Sequence, residues 1–363
     1  MSFSLKLKNF KSLIKFLKIL LSPFVFVYSG VIKIRNLFFD KSVLKSVKVD
    51  AKIISVGNIT VGGSGKTPFV IYVANLLKNS GYNVGVLSRG YGRRSKGYKL
   101  VSDGKEILTT VEFCGDEIIQ TATECKVPAA VSENRVKGVK KLIKDTNVNT
   151  IVLDDAFQHR WIARDVDLVI VDQNFLNYKS ALTHNLLPLG DLREGFNSLK
   201  RADVIILNRK FFDREEMNQD LKKYFYGKKL FTAYYKAISF VDAMKKTEYS
   251  LEEFKGQDSL VVSGIANPKS FLDILEQVHV NTKNRLIFSD HKDYSLKEVQ
   301  KIRKQFYTTN SHSVVTTEKD AVKLSRFNRE LDDVEIFYLK INLNIDDEES
   351  FKHYLFNKLN NAS

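Results

Sequence analysis

The residues whose types and spacing most clearly suit a chemical function lie between Ile53 and Leu77, in the sequence IISVGNITVGGSGKTPFVIYVANLL. An apolar strand is predicted to run into a Gly-rich turn, and an apolar helical pattern follows Gly65-Lys66-Thr67. Glycines let backbone N–H groups approach phosphate oxygens closely, and the helix N-terminus adds the positive end of its dipole. Lys66 would then reach the β- and γ-phosphates, and the Thr67 hydroxyl would bind Mg²⁺. The stretch therefore predicts a site for a nucleoside triphosphate.

This loop departs at one position from the usual phosphate-loop pattern. That pattern has a glycine five residues before Gly65, and Thr60 stands there instead. Gly62 and Gly63 supply backbone freedom that can replace the missing glycine. We therefore predict that the nucleotide is held by these residues: Thr60, Val61, Gly62, Gly63, Ser64, Gly65, Lys66 and Thr67.

A second candidate site follows the predicted strand in NTIVLDDAFQHR, residues 149–160. An apolar strand that ends in acid is the second half of a phosphate-loop site, where a carboxylate holds Mg²⁺ directly or through water. Asp154 and Asp155 fill this role together with Thr67. Adjacent strand residues point to opposite faces, so we expect one carboxylate to face the metal directly unless the strand has already ended. The alternative is an Asp that merely caps a turn.

Three more polar clusters stand where strand ends should gather. LSRGYGRR, residues 87–94, is a predicted strand ending in a basic loop, in which Arg89 and Arg93 could clamp a substrate phosphate through bidentate contacts. Asp116, in Gly-Asp-Glu, opens a predicted helix and could equally be a plain N-cap. His291, in FSDHKDY, lies between acids. Such a His can act as a base or orient one, although a lone His is more often structural.

Strands and helices alternate in the elements that must position these residues. Near-continuous apolar strands between helices indicate an α/β fold, a mostly parallel sheet with helices on both faces like that of a phosphate-loop NTPase. Active residues should then lie at the carboxyl ends of the strands. The predicted strands include 52–56, 83–88, 129–131, 150–153, 168–172 and 204–208, and the predicted helices include 68–78, 116–123 and 133–144.

The pattern changes beyond about residue 210 and predicts a second, smaller α/β unit. The predicted elements there are a polar helix over 213–226, strands near 260–263, 285–288, 313–316 and 334–339, and helices near 268–278 and 295–306. We expect three parts: an N-terminal membrane-interface segment over 1–50, a phosphate-loop domain over 51–230 and a C-terminal domain over 231–363. The second boundary is soft and falls between 210 and 255.

The first 50 residues carry ten Lys or Arg and two acids, so their balance of +8 is more than half of the net +15. The 14 residues from Ile19 to Ile32 carry no charge. A transmembrane helix needs about 20 apolar residues, and Pro23 is expected to interrupt a helix at its centre. A basic amphipathic helix in an anionic membrane interface therefore fits best, ahead of a short true span or a helix packed on the protein's own core.

The composition of the whole chain limits its class. At 363 residues, with 44% hydrophobic and 27% charged residues, the chain suits a folded protein of two domains. The net charge implies an anionic partner. The sequence has no recognisable nucleic-acid-binding motif, and bulky aliphatics lie among the N-terminal lysines, which argues against nucleic acid. Cys114 and Cys125 lack the spacing of a zinc site or a disulfide framework and fit a reducing cytosol.

Seven segments together resemble one enzyme family. TVGGSGKTP, VLSRGYGR, GDE, DDAFQHR, LLPLGDLRE, SDHKDY and TTEKD occur in this order, and the set is similar to the tetraacyldisaccharide 4'-kinases of lipid A biosynthesis. The resemblance covers nearly the whole chain, and Thr60 is usual in this family. It implies phosphorylation of the 4'-hydroxyl of a lipid disaccharide 1-phosphate, with ATP and Mg²⁺, at the cytoplasmic face of the inner membrane. It implies no nucleic acid and no obligatory protein partner.

The resemblance also assigns roles to individual residues. Asp116 resembles the family's catalytic carboxylate, which takes the proton of the attacking hydroxyl, and His291 resembles the histidine that pairs with it. Lys66 supplies positive charge at the phosphates. The residues that match the metal site are Thr67, Asp154 and Asp155. The residues that resemble the lining of the nucleotide or substrate side are Arg135, Gln158, His159 and Glu194.

The sequence departs from the family pattern at two positions. Ala156 stands where the family usually has Gly, which is acceptable if its φ is negative, and Asp191 replaces a usual Pro.

A membrane-docked switch NTPase is the main alternative to the kinase function. Guanine specificity is disfavoured because Phe211 stands where an Asn-Lys-x-Asp motif beginning at Asn208 would have Asp. The second rival is a nucleic-acid-dependent ATPase. For the kinase, we expect the two domains to close and bring His291 near Asp116.

Overall fold

The computed structural model describes residues 3–177, 184–265, 268–289 and 292–361, with side chains described from residue 20 onward. Within these residues, one continuous sheet of thirteen strands forms the centre of the molecule. The strands are β1 Lys52–Gly57, β2 Val84–Ser88, β3 Lys99–Asp103, β4 Pro128–Val131, β5 Thr150–Asp154, β6 Val166–Asp172, β7 Val204–Asn208, β8 Lys229–Asp242, β9 Glu248–Tyr249, β10 Asp258–Ser263, β11 Asn281–Ile287, β12 Ser313–Thr317 and β13 Ile336–Ile345.

The sheet is mostly parallel. Its strand order is β11-β10-β12-β13-β8-β7-β6-β1-β5-β2-β4-β3, and the short β9 pairs with β8. The antiparallel pairs are β3 with β4, β8 with β13 and β8 with β9. The carboxyl ends of β1, β2 and β5 therefore meet at one edge, because these three strands are neighbours and parallel. This arrangement confirms the predicted fold class.

Helices cover both faces of the sheet. They are α1 Phe3–Asp40, α2 Lys66–Asn79, α3 Val111–Cys114, α4 Asp116–Cys125, α5 Arg135–Thr146, α6 Gln173–Asn177, α7 Gln219–Phe225, α8 Pro268–Gln277, α9 Leu296–Thr308, α10 Glu318–Leu324 and α11 Glu348–Asn361. Alternate residues of one strand feed two cores, because side chains along a strand point to opposite faces. In β5, Val152 packs in the core that contains Phe69 of α2, while Ile151 packs in the core that contains Leu142 of α5.

The strands β8 and β13 carry the sheet from one half of the chain to the other. The first part of β8 pairs with β7 in parallel, and the remainder pairs with β13 in antiparallel orientation. After β13, helix α11 returns to the first half, where Phe351, Leu355 and Leu359 are fully buried in the core that contains Phe69. The predicted boundary at residues 230 and 231 falls inside β8, and the division into domains stays a prediction.

Two predicted elements differ from those observed. Residues 213–226 were expected to form one helix, but only Gln219–Phe225 is helical. The second difference is α1, which runs as one helix of 38 residues through Pro23. A proline inside a helix removes one backbone hydrogen bond and costs about 3 kcal/mol, and in this helix that loss does not end the element.

Helix α1 has one face on the protein and one face outward. Phe39, at its end, is buried and packs edge-on against Trp161 with ring centroids 5.1 Å apart. The exposed apolar residues of α1 are Leu20, Phe24, Phe26, Val27, Val31, Ile34, Leu37 and Phe38. By length and composition, the stretch Leu20–Asp40 would suffice to cross a membrane. The exposed face has no core to cover it within the described chain.

Candidate active site

The phosphate loop lies between β1 and α2, as the sequence predicts. The side-chain amide of Asn58 donates to the hydroxyl oxygens of Thr60 (3.2 Å) and Ser64 (2.7 Å). Gly62 and Gly65 have φ of 88° and 92°, in the left-handed region that favours glycine. The loop thereby turns directly into the first turn of α2, where the backbone N–H groups and the helix dipole attract an anion.

No side chain fits at position 65. A Cβ there would lie 2.2 Å from the hydroxyl oxygen of Tyr235 and 2.3 Å from Nδ2 of Asn208. The same Nδ2 atom donates to the carbonyl of Ser64 at 3.0 Å. Asn208, at the end of β7, therefore supports the phosphate loop from the side, and this close approach is possible because residue 65 is glycine.

Thr60 ties the loop to the segment that precedes Glu194. Thr60 forms an antiparallel bridge with Leu192, and the Val61 N–H donates to the carbonyl of Asp191 at 2.8 Å. Proline also has a backbone carbonyl, so the replacement of the usual family proline by Asp191 leaves this contact available.

The two acids at the end of β5 both face the cleft beside the phosphate loop. Asp154 is the last residue of β5, and Asp155 follows with φ of 50°. This left-handed turn explains why adjacent carboxylates do not point to opposite sides of the sheet. Ala156 does not take the left-handed conformation, so alanine is unstrained where the family usually has glycine.

Asp154 is deeply buried and only partly satisfied. Its Oδ2 accepts a hydrogen bond from Ser88 Oγ at 2.9 Å, and its Oδ1 has no partner within the described chain. Burial, followed by the negative charges of Glu117 and Asp155, raises the pKa of Asp154 to about 6. A buried carboxylate oxygen without a hydrogen-bond partner fits a group that binds a cation or accepts a hydrogen bond once a ligand is present.

Asp155 is held by two cations. Arg193 donates to it from both arms, Nη1 to Oδ2 at 3.0 Å and Nη2 to Oδ1 at 2.7 Å. Lys66 Nζ lies 3.9 Å from the same Oδ1. Burial acts to raise the pKa of Asp155, but the charges of Lys66 and Arg193 outweigh it and lower this pKa. Arg193 also donates to the side-chain oxygen of Asn58 and so joins the acids to the phosphate loop.

These groups fit a magnesium ion that is bound together with nucleotide phosphates. Mg²⁺ takes one or two carboxylates plus phosphate oxygens and water rather than an all-protein cage. Asp154, with its unpartnered Oδ1, and Thr67 line the same cleft and are the residues that would hold the ion, with Asp155 beside them. Among the residues that the structure describes, no group of three or more His, Cys, Asp or Glu could hold a metal by itself.

Asp116 opens α4 directly after Gly115, which has φ of 92°. Its Oδ2 lies 3.3 Å from Nζ of Lys323 in α10. The same Nζ donates to the carbonyl of Lys292 at 3.2 Å. His291 lies outside the described residues, but its neighbour Lys292 is thus linked to Asp116 through one shared cation.

A second ion pair crosses the cleft next to the first. Lys319 Nζ, in the TTEKD segment, lies 3.0 Å from Oε1 of Glu117. Burial acts to lower the pKa of Lys319, but the charges of Glu117 and Asp116 outweigh it and raise this pKa. Helix α10 therefore brings two cations, Lys319 and Lys323, to the acidic first turn of α4.

A cleft of about 1100 Å³ joins all of these groups. The predicted site residues that line it are Thr60, Val61, Gly62, Gly63, Ser64, Gly65, Lys66, Thr67, Arg89, Asp116, Asp154 and Asp155. Its apolar wall includes Phe271, Ile274, Leu339, Ile341 and Leu343. A cleft that is lined by both a phosphate loop and apolar side chains can take a ligand with both a phosphate and an apolar part.

The basic loop after β2 contributes one arginine to the cleft and uses another to hold its shape. Arg89 lines the cleft. Arg93 donates instead to Glu133 at 2.5 Å and to the Gly97 carbonyl at 2.6 Å. A Cβ at Gly90 would lie 2.8 Å from the carbonyl oxygen of Cys114, so glycine lets this loop pack against the end of α3.

Three other predicted residues lie behind the acids rather than in the cleft lining. Arg135, 2% exposed, donates to the carbonyl of Asp154 at 3.1 Å, and burial lowers its pKa to about 10. Gln158 donates to the carbonyl of Asn58 at 2.7 Å. His159 has its pKa lowered to about 4 by burial and then by Arg135, which makes it a neutral imidazole. Their proximity to nucleotide or substrate stays a prediction.

Glu194 also lies outside the cleft lining and is 1% exposed. Its Oε1 lies 2.6 Å from Nη2 of Arg35 in α1, and its Oε2 accepts from Nη2 of Arg201 at 2.5 Å. The structure thus places this carboxylate between the N-terminal helix and the 3₁₀ turn Phe196–Arg201.

Five residues of the site were not predicted: Asn58, Ser88, Arg193, Lys319 and Lys323. Arg193 and Lys319 stand inside LLPLGDLRE and TTEKD, so the resemblance carried a signal for them. Ser88 ends a predicted strand, which placed it at the correct edge of the sheet. Asn58 and Lys323 were not singled out: Asn58 contacts Arg193, and Lys323 contacts Asp116, only because the fold brings distant segments together.

The fold and the cleft define a phosphate-loop kinase: a mostly parallel sheet presents the loop, an acid at the next strand end and a further carboxylate facing them. A family model described as tetraacyldisaccharide-1-P 4'-kinase (LpxK) matches residues 17–360. The chain belongs to this tetraacyldisaccharide 4'-kinase family. It is accordingly an ATP-using kinase with Mg²⁺ as the partner ion, as predicted.

Relatives and a solved structure agree with this membership. The chain is 37% identical to the tetraacyldisaccharide 4'-kinase of Halothermothrix orenii over 83% of this chain and 81% of the relative. It is 31% identical to that of Aquifex aeolicus over 93% of this chain and 97% of the relative. A crystal structure of "apo" form LpxK from Aquifex aeolicus in complex with ATP matches with a TM-score of 0.76 and 31% identity, over 94% of this chain and 99% of that one.

Proposed function

We propose that this chain transfers the γ-phosphoryl group of ATP to the 4'-hydroxyl of a lipid A disaccharide 1-phosphate precursor at the cytoplasmic face of the inner membrane. One observation carries the proposal: Asp116 lies in the same cleft as Lys66 and Asp154. A carboxylate that faces the phosphate loop from a separate helix suits a hydroxyl acceptor that must be deprotonated. The relatives' name, tetraacyldisaccharide 4'-kinase, specifies which hydroxyl that is.

The chain's own residues account for each part of the transfer. The loop N–H groups and Lys66 bind the phosphates and stabilise the charge that develops on the γ-phosphoryl oxygens. The 4' oxygen forms a bond to the γ-phosphorus, the bond from that phosphorus to the β,γ-bridging oxygen breaks, and the hydroxyl proton passes to Asp116. Lys323 holds Asp116 Oδ2 at 3.3 Å and so fixes the carboxylate's direction. Mg²⁺, when bound, supplies further charge at the phosphates.

His291 is proposed to orient Asp116 when the two halves of the cleft close. The motivation is the shared cation: Lys323 contacts both Asp116 and the backbone of Lys292. Asp116 belongs to the first half of the chain and Lys292 to the second, so closure of the cleft would shorten the distance between these two residues. Distance labels on α4 and α9 that show no change when nucleotide and lipid bind would rule out this closure.

The membrane is proposed as the second partner, through α1. Its outward face is apolar, with Phe24, Val27 and Val31 each at least 60% exposed. The first 50 residues have a balance of +8, from ten basic and two acidic residues, which favours anionic lipid headgroups. No obligatory protein partner and no nucleic acid are required.

The role of Asp116 is tested by Asp116→Asn, which keeps the side-chain shape and removes the base. We expect kcat to fall by more than about 10²-fold, the lower bound for loss of a general base, while ATP binding persists. Asp145→Asn, which alters an exposed acid on α5, is the matched control. Turnover of Asp116→Asn within a few-fold of the control would reject Asp116 as the base.

A further inference from the structure

The docked face of α1 contacts two adjacent residues that precede the 3₁₀ turn Phe196–Arg201. Arg35 Nη2 lies 2.6 Å from Glu194 Oε1, and Asn36 Nδ2 donates to the same oxygen at 3.4 Å. The Tyr28 hydroxyl donates to the carbonyl of Arg193 at 3.1 Å. These contacts join positions about 160 residues apart in the chain, so they are tertiary contacts that fix the helix against this segment.

The opposite side of the same segment contacts the nucleotide site. The Arg193 guanidinium donates through both arms to Asp155, and it donates to the side chain of Asn58. Asn58 in turn holds the loop hydroxyls of Thr60 and Ser64. The backbone of residue 193 is thus held from the α1 side, and its side chain fixes the position of the acid and the phosphate loop.

The geometry points to Arg35 as a positioning residue of the nucleotide site. It does not line the cleft. It acts through Glu194, a carboxylate that is 1% exposed and is held between Arg35 and Arg201. A buried carboxylate that loses one of its two cations must move or change its remaining contacts. The backbone of Arg193, the residue directly before Glu194, is then held less firmly, and its bidentate contact with Asp155 loosens.

This inference gives the inward face of α1 a role in positioning the nucleotide site, separate from the proposed membrane contact of its outward face. It rests on the ATP-dependent activity of the family and not on the membrane proposal. The two are separable, because binding of ATP and Mg²⁺ can be measured on the full chain without lipid or vesicles.

The test compares Arg35→Met, which keeps the side-chain stem and removes the cation, with Arg35→Lys, which keeps a cation. We expect Arg35→Met to weaken binding of Mg²⁺-ATP in calorimetry, and to raise the KM for ATP, by roughly 10-fold, as for other outer residues that orient ligands. The KM for the lipid acceptor should stay within about twofold of the parent. Arg35→Lys should recover most of the ATP affinity.

Lys33→Met is the matched control, because Lys33 is exposed on the same helix and its loss removes the same charge. Trp161, the one tryptophan of the chain, contacts Phe39 of α1 and reports by fluorescence whether the helix stays docked. If Arg35→Met destabilises the whole protein, Tyr28→Phe, which removes one hydroxyl, is expected to weaken ATP binding alone. ATP affinity equal to that of Lys33→Met in both Arg35→Met and Tyr28→Phe would overturn the inference.

Discussion

Asp154 and Asp155 are adjacent in sequence, yet their environments differ. Asp155 has two cations at hand, so its pKa is lowered in spite of burial. Asp154 has one hydroxyl partner, Ser88, and burial raises its pKa to about 6. Asp154, which has no cation beside it, is the residue placed to bind one, and the metal ion that arrives with the nucleotide would neutralise its charge. Without the metal, the buried charge of Asp154 therefore lowers the stability of the folded protein.

The buried charge of Asp154 predicts that the folding stability of the metal-free protein depends on pH. The pKa of Asp154 rises from an ordinary 3.8 to about 6 in the folded state. The unfolded chain therefore loses its proton first, and folding stability falls as pH rises from about 4 to 6 and stays lower above that. The shift corresponds to at most about 3 kcal/mol. Asp154→Asn, which cannot ionise, should be more stable than the parent at pH 8 and similar at pH 4.

Denaturant unfolding of both proteins at the two pH values, in a chelating buffer, measures this difference. Addition of Mg²⁺ with ADP should stabilise the parent much more than Asp154→Asn. Equal stability of the two proteins at pH 8 without metal would show that the Asp154 carboxylate bears no such cost.

Single residues were predictable where local spacing sets their role. Lys66 and Thr67 follow a glycine turn at the start of a helix, and consecutive residues alone determine this geometry. Arg193 was missed because its partner, Asp155, lies 38 positions away and only the fold brings them together. Glu194 was singled out by resemblance, and the structure shows it bound by two arginines behind the cleft.

At the scale of elements, the two faces of α1 differ, and we propose a separate role for each. The inward face holds Tyr28, Arg35 and Phe39 against the protein, and the outward face is apolar and exposed. Phe24 and Phe26 on the outward face are 62% and 81% exposed. Of the alternatives that the sequence left open, an interfacial helix and a short span would both use this outward face.

The outward face predicts vesicle binding that depends on both apolar area and charge. Replacing Phe24 and Val31 together by Ser removes about 3 kcal/mol of transfer free energy or more, and should weaken binding to vesicles that contain anionic lipid by about 100-fold or more. Salt should weaken binding of the parent as well. Tyr226→Ser is the control, because Tyr226 is 91% exposed and lies elsewhere. Equal co-sedimentation of the double variant and this control would contradict a membrane role for α1.

Elements with strong local patterns were predicted, and those that depend on distant packing were not. The alternation of buried strand and helix gave β1, α2, β5 and β7 nearly to the residue. The strand β8, Lys229–Asp242, was missed although Phe231, Tyr235 and Phe240 favour strand structure. Pro23 was expected to end a helix that in fact continues.

At the scale of the whole molecule, one sheet joins two sets of groups that line the cleft. The phosphate loop and its acids come from the parallel strands of the first half, and Lys319 and Lys323 come from α10 in the second. Helix α11 crosses back and buries Phe351 in the first core. The sequence indicated two α/β units, but the shared strand β8 and this returning helix could not be inferred, since both depend on pairing between distant segments.

The proposed reaction is phosphorylation of a lipid hydroxyl in this cleft. Mass spectrometry of the lipid, after incubation of the full chain with ATP, Mg²⁺ and a disaccharide 1-phosphate lipid, tests it directly. We expect a gain of one phosphoryl group, located by fragmentation on the 4' position, and a product yield reduced by more than about 10²-fold in Asp116→Asn. Release of ADP with the mass of the lipid unchanged would rule out this reaction, because the enzyme would then be transferring phosphate to water.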